Sequence, residues 1–138
     1  MRRFLFDSGP FNDFISRQGS TYARAMARVQ FGDRLGICPP FLGEFLGGVL
    51  GGSSIEKNLK LFRRIVPLFR MWPYDRKAAE EYAQLRAYLK RIGRRIQVID
   101  MQIAAIAIAM GNTTVVTKDS DFKAIPGLDL VDWSEPDS

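Results

Sequence analysis

The chain predicts an α/β fold in three layers, α/β/α, with a mostly parallel central sheet flanked by helices. Three observations carry that expectation. Short runs that are wholly apolar or β-branched recur along the chain, as strands buried on both faces require. Stretches with helical periodicity separate them, and strands alternating with helices imply a parallel sheet covered on both sides. Several acids also fall where a predicted strand stops or a helix starts, and ligands of parallel sheets bind beyond the strands' carboxyl ends.

Phe4-Leu5-Phe6 is the first strand and stops at Asp7, ahead of the helix-start residues Ser8-Gly9-Pro10. Over residues 10–31 the apolar positions Phe11, Phe14, Ile15, Tyr22, Ala25, Met26 and Val29 suit two short helices broken near Gly19. Residues 35–38 form a second strand, ended by Pro39-Pro40, which open the next helix and put Glu44 in its first turns. Ser53-Ser54 caps a helix over residues 55–65 with Leu59, Phe62, Ile65 and Val66 on one face. Residues 69–72 predict a third strand. Residues 75–92 are rich in Ala, Glu, Leu, Lys and Arg and predict a long helix striped by Ala79, Tyr82, Ala83, Leu85, Leu89 and Ile92. Gly93 ends it, and residues 96–99 lead into a helix over residues 100–110 that is apolar nearly all round and therefore central and buried. Residues 113–117 are β-branched and predict a core strand, and residues 129–131 a last one after the Pro126-Gly127 turn.

A chain of 138 residues predicts a single domain over residues 1–138, and no Pro, Gly or Ser run is long enough to act as a linker. The apolar runs fall far short of the ~20 residues of a membrane span, and the N-terminus reaches Asp7 after three apolar positions, unlike a signal peptide. A cytoplasmic protein with no membrane partner is the expectation. The single Cys38 has no disulfide partner and, in a chain without histidine, cannot build a zinc site. Net charge is +5, and the basic residues come in pairs, Arg2-Arg3, Arg63-Arg64, Lys90-Arg91 and Arg94-Arg95; phosphate backbones are the obvious partners, and on charge alone a solvated basic face stands level with them.

Asp7, Glu44, Asp100 and Asp119 are the candidate site. Taken singly, each reads more readily as a helix cap. Taken together at strand ends and helix starts, they predict one acidic pocket, and carboxylates suit Mg²⁺ or Mn²⁺ in chemistry on a polyanion. The aromatic residues, Trp72 and Trp133 included, read as core or subunit contacts and not as base-stacking platforms.

The chain resembles PIN-domain ribonucleases, and most the VapC toxins of toxin–antitoxin pairs. The resemblance rests on Phe4-Leu5-Phe6-Asp7-Ser8, on Gly43-Glu44-Phe45-Leu46-Gly47-Gly48, on Asp100-Met101-Gln102-Ile103-Ala104-Ala105, and on Val115-Val116-Thr117-Lys118-Asp119-Ser120-Asp121-Phe122. It implies a PIN-like fold, metal ligation by Asp7, Glu44, Asp100 and Asp119, a contribution from Asp121, and a hydroxyl near the metal from Ser8. It also implies metal-assisted hydrolysis of RNA, a VapB-like antitoxin whose tail lies across the acidic groove, and a homodimer. Gly9 departs from the family, where an Asn is common. Lys118, Arg94 and Arg95 are the first candidates to grip RNA, with Arg63, Arg64, Lys90 and Arg91 behind them. The rival is a non-catalytic PIN-like module that binds RNA or a partner. A haloacid-dehalogenase-type phosphatase is disfavoured because the position two beyond Asp7 is Gly9, and a receiver-like phosphoacceptor because the early acidic pair is missing.

Overall fold

Five strands lie side by side in the order β3-β2-β1-β4-β5, each neighbouring pair parallel. The computed structural model describes residues 1–135; the last three positions of the expected domain lie outside the described residues. In chain order the elements are β1 (Arg3–Phe6), α1 (Ser8–Ser16), α2 (Thr21–Gln30), β2 (Arg34–Ile37), α3 (Pro39–Leu50), α4 (Ile55–Ile65), β3 (Phe69–Met71), α5 (Arg76–Arg91), α6 (Val98–Met110), β4 (Thr113–Val116) and β5 (Asp129–Val131). Single 3-10 turns at Val66–Leu68 and Ser120–Ala124 complete the path.

The sheet is parallel throughout, where a mostly parallel one was expected. The chain builds outward from β1 to β2 and β3, then crosses back through α5 and α6 to place β4 on the other side of β1. Strand order therefore reverses at β1 and β4, and the crevice beyond their carboxyl ends is where such sheets bind ligands.

Burial explains why these short segments are strands. Phe4, Leu5 and Phe6 of β1 are all buried, as are the four residues of β4, so alternation is absent and β-branched or aromatic residues fill both faces. Phe6, Phe11 and Phe14 meet Phe69 with ring centroids 5.0, 5.2 and 5.1 Å away, all edge-on, which ties β1 and α1 to β3. Trp133 closes the core against Phe4 at 4.8 Å. Gly36 of β2 is required by Trp72: a Cβ there would lie 2.2 Å from the indole ring, so only hydrogen lets the ring lie against the strand.

The apolar α6 is the central helix, with Met101, Ile103 to Ala107 and Ala109 buried, and it begins at Val98, two residues before the expected start. Asp75 caps α5 by accepting a 3.0 Å hydrogen bond from the Ala78 amide. The buried stripe of α5 is Ala78, Leu85 and Leu89 with half-buried Tyr82; Ala79, Ala83 and Ile92, expected inward, face solvent. The stripe is rotated because α5 docks on α6 along positions spaced 4-3-4, and an alanine-rich helix fits two neighbouring stripes almost equally. Ser54 stands at the N-cap position of α4 but makes no side-chain cap bond. No helix among the described residues is long and apolar enough to cross a membrane.

Candidate acidic site

The extended backbone of β1 continues one residue beyond the strand, where the Asp7 amide donates to the Val116 carbonyl at 3.0 Å. Asp7 thus sits at the switch point, at the N-cap position of α1, yet its side chain makes no capping bond. Instead Thr117 Oγ1 donates to Asp7 Oδ2 at 2.9 Å, and the same hydroxyl oxygen accepts the Asp119 amide at 3.0 Å. One threonine hydroxyl therefore sets the Asp7 carboxylate against the backbone that carries Asp119. The capping expectation holds for Asp119, whose Oδ1 accepts the Asp121 amide at 2.9 Å and opens the 3-10 turn.

Asp100 enters from the first turn of α6 and Glu44 from the second turn of α3. Asp7 is buried, Asp100 half-buried, and Glu44 and Asp119 exposed, so the acids run from the sheet edge out to solvent. Burial, and then the charges of Asp7, Asp119, Glu44 and Asp121 in falling order, push the Asp100 carboxyl up to about 7 from 3.8. A helix N-terminus ordinarily favours an anion, so the crowding of like charge outweighs the dipole here. Burial also raises Asp7, against the lowering effects of the Ser8 amide and the Thr117 hydroxyl, and Asp119 adds a smaller push upward. Buried Cys38, next to the crevice, is raised to about 11 by burial first and by Asp7 least, which keeps its thiol protonated and inert.

The remaining expected residues lie around this cluster. Ser8 and Glu44 line one groove of about 380 Å³ with Asn12, Phe41, Phe45 and Asn58. Lys118 Nζ pairs with Asp13 Oδ2 at 2.8 Å, and its stem crosses Gly9, where a Cβ would stand 3.1 Å from Lys118 Cε. A side chain at position 9 would press on the Lys118 stem, which would have to give by a few tenths of an ångström. Arg94 Nη2 pairs with Asp121 Oδ1 at 2.8 Å, and of the two late acids Asp119 acts on both Asp7 and Asp100, whereas Asp121 acts on Asp100 and more weakly. Arg95 is exposed one residue on. Arg63 and Arg64, in the last turn of α4, line none of the grooves that border the acids. Sequence reasoning missed Thr117 and Asp13 as site residues. The signal for Thr117 was its place in the motif, two residues before Asp119, where a strand-favouring side chain also carries a hydroxyl.

Among the described residues, no three Asp, Glu, Cys or His side chains stand close enough to hold a metal as they are. The donor chemistry nevertheless fits a hard divalent cation: four carboxylates, no thiolate or imidazole at hand, and mutual repulsion that an ion would relieve. That repulsion also gives a reason for the carboxylates to stand apart without a cation.

The parallel sheet brings acids from the ends of β1 and β4 and from two helix N-terminal regions to its switch point, and the family model described as PIN domain matches residues 4–128, so the chain belongs to that family. Within that family its similarities run to VapC proteins. Ribonuclease VapC5 of Mycobacterium tuberculosis is 31% identical over 102 residues, covering 72% of this chain and 75% of the relative. The tRNA(fMet)-specific endonuclease VapC of Shigella flexneri is 32% identical over 93 residues, covering 67% and 70%. The crystal structure of VapBC2 from Rickettsia felis bound to a DNA fragment from their promoter contains a chain that superposes with a TM-score of 0.88 at 26% identity, covering 95% of this chain and 98% of that one.

Proposed function

We propose that the chain is an endoribonuclease of the VapC kind, hydrolysing RNA phosphodiester bonds with Mg²⁺ or Mn²⁺ held by Asp7, Glu44, Asp100 and Asp119. The observation that carries the reading is the placing of Asp7 beyond β1, Asp119 beyond β4, Asp100 in the first turn of α6 and Glu44 on α3 at one edge of the sheet, with Thr117 bonded to both Asp7 and the Asp119 amide. The family and the ribonuclease names of the relatives support the substrate class.

The chemistry that a bound Mg²⁺ or Mn²⁺ supplies is Lewis-acid polarisation of the scissile phosphate and of the attacking water. The chain's own residues position the reaction. Thr117 holds the Asp7 carboxylate and the Asp119 backbone at fixed spacing, so two of the acids cannot drift independently. Asp100, whose carboxyl is pushed up to about 7 by burial and by the acids around it, would hold a cation only as the carboxylate, so its ligation would be favoured by rising pH. The chain has no histidine, so a paired-imidazole mechanism on the 2′ hydroxyl is excluded and proton handling falls to carboxylates and water. Ser8 adds a hydroxyl on the Glu44 side of the crevice.

The partner of the same reading is a VapB-like antitoxin, supported by the toxin–antitoxin complexes among the structural relatives. The groove between α1, α3 and α4 that opens beside Glu44 suits its tail, and a basic side chain entering there meets Glu44 first. A homodimer belongs to the same proposal.

The test is cleavage of a labelled structured RNA by antitoxin-free protein with Mg²⁺ or Mn²⁺, with EDTA, and with Asp7→Asn. Cutting is expected with metal alone and is lost in the variant, whose circular dichroism stays that of the wild type. Cutting in EDTA, or by Asp7→Asn, overturns the mechanism; no cutting of any of several RNAs moves the chain to a binding module.

A further inference from the structure

A second groove, of about 510 Å³, opens where the turn after α5 meets the first turn of α6. Half-buried Ile96 gives it an apolar floor, with the nearly covered Leu89 and Met101 beneath, and Arg86, Lys90, Arg94 and Arg95 stand around it. The local sequence explains the arrangement. Arg86 and Lys90 are four residues apart on α5 and so share a face. Gly93, at φ +70°, then reverses the chain and returns Arg94 and Arg95 to the same opening. Among the described residues Arg86, Lys90 and Arg95 make no ion pair, while Arg94 is held by Asp121. Three uncompensated like charges around apolar surface raise the potential of the groove and attract an anion that also has a flat apolar body.

The groove adjoins the acids directly. Met101 follows Asp100 in the first turn of α6, and Arg94 stands between groove and crevice with its guanidinium on Asp121. Its volume lies in the range of ~300 to 1,000 Å³ typical of sites for small organic groups.

We propose that this groove is a subsite for single-stranded RNA, taking a nucleotide next to the scissile phosphate, its base on Ile96 and the aliphatic stems of Arg86 and Lys90 and its flanking phosphates on the charged ends of Arg86, Lys90 and Arg95. The choice of RNA as occupant rests on the ribonuclease reading; the groove, its charge and its floor do not. Aliphatic floors accept any base, so the subsite adds affinity and orientation with little sequence preference.

The experiment is fluorescence anisotropy of a short labelled single-stranded RNA in EDTA, with the full chain and two triple variants of equal charge change. Arg86→Gln/Lys90→Gln/Arg95→Gln is expected to weaken binding about tenfold or more and to lower the slope of log affinity against log salt by about 1.4, at ~0.7 for each of the two flanking phosphates that is no longer neutralised. Arg34→Gln/Lys57→Gln/Lys60→Gln, with exposed cations outside the groove, is expected to cost less than about threefold. Adenosine monophosphate should displace the RNA at lower concentration than inorganic phosphate, because only the nucleotide covers the floor. Equal losses in the two variants would reduce the effect to bulk charge and overturn the proposal, as would displacement by inorganic phosphate as readily as by the nucleotide. Displacement by a polyglutamate peptide as efficient as by unlabelled RNA would overturn it in favour of an acidic protein segment. Binding is read without turnover, so a chain that binds RNA here but never cuts it refutes the ribonuclease reading alone.

Discussion

Asp100→Asn, studied without metal, separates the electrostatics of the acidic site from its turnover. Below about pH 3.8 the wild-type carboxyl is protonated in both folded and unfolded chains and carries no penalty. Between 3.8 and about 7 the unfolded chain has ionised while the folded one still keeps its proton, so stability falls as pH rises; above 7 the loss is complete and constant. At about 1.4 kcal/mol per pH unit the interval bounds the penalty at ~4 kcal/mol. Asp100 is only half-buried, and water and counter-ions screen it, which brings the expected value to ~1–2 kcal/mol. For a chain of this size that is a rise of about 5 °C in Tm for Asp100→Asn over wild type. The assay is thermal unfolding by circular dichroism in EDTA at pH 4.5 and pH 8. The variant should be the more stable at pH 8, with most of the difference gone at pH 4.5, and Mg²⁺ or Mn²⁺ at pH 8 should raise the wild type more than the variant. A variant equal to or less stable than wild type at pH 8 would refute the claim that burial and the charges of Asp7, Asp119 and Glu44 raise the Asp100 carboxyl.

Thr117→Val keeps the side chain's shape and removes the hydroxyl that joins Asp7 to the Asp119 amide; it should cost ~1–3 kcal/mol in denaturant unfolding and about tenfold or more in RNA cleavage, with Thr117→Ser restoring both. An unchanged cleavage rate in the valine variant would remove Thr117 from the positioning of the acids. Gly36→Ala sets a Cβ at 2.2 Å from the Trp72 ring; an expected loss of ~1–3 kcal/mol, a red-shifted tryptophan emission, and recovery on adding Trp72→Leu would together show that the ring is what the glycine admits. Asp33→Asn removes the charge that Arg28 pairs with at 3.4 Å and weakens the carboxylate's 2.8 Å bond to the Arg2 amide; because Asp33 is buried, unfolding should show a loss of ~1–3 kcal/mol, and no loss would mean that water replaces the pair at no cost.

Much of the architecture was legible locally. Strands buried on both faces have no alternation to hide, so Phe4-Leu5-Phe6 and the β-branched run at residues 113–117 stand out from their surroundings, and α6 is apolar on every side because sheet and helices enclose it. The rotated stripe of α5 was not legible, because alanines at 78, 79 and 83 read alike and only the docking against α6 selects among them. The cap expected at Asp119 forms, Asp75 caps α5 where the sequence places it inside the helix, and Asp7 and Ser54 stand at cap positions without capping. Residue type and place in the chain mark where a cap can form, but a partner from another element decides whether the side chain turns to it.

The same division runs through the site. Local sequence determined the alternation of strands and helices, the four acids at strand ends and helix starts, the absence of histidine, and the motif that ties the chain to the PIN domain, since each depends on residue type and short-range spacing. Tertiary structure alone decided that the sheet is parallel throughout with its order reversing between β1 and β4, that Thr117 joins Asp7 to Asp119 across 110 positions of chain, and that Arg94 pairs with Asp121 while Asp119 acts on both Asp7 and Asp100. It also decided that Lys118 spends its charge on Asp13 and that Arg86, Lys90 and Arg95 are left uncompensated around one groove. Hydrogen bonds and Coulomb forces act over a few ångströms of space without regard to separation along the chain, so pairing among distant polar groups is settled only when the fold brings them together.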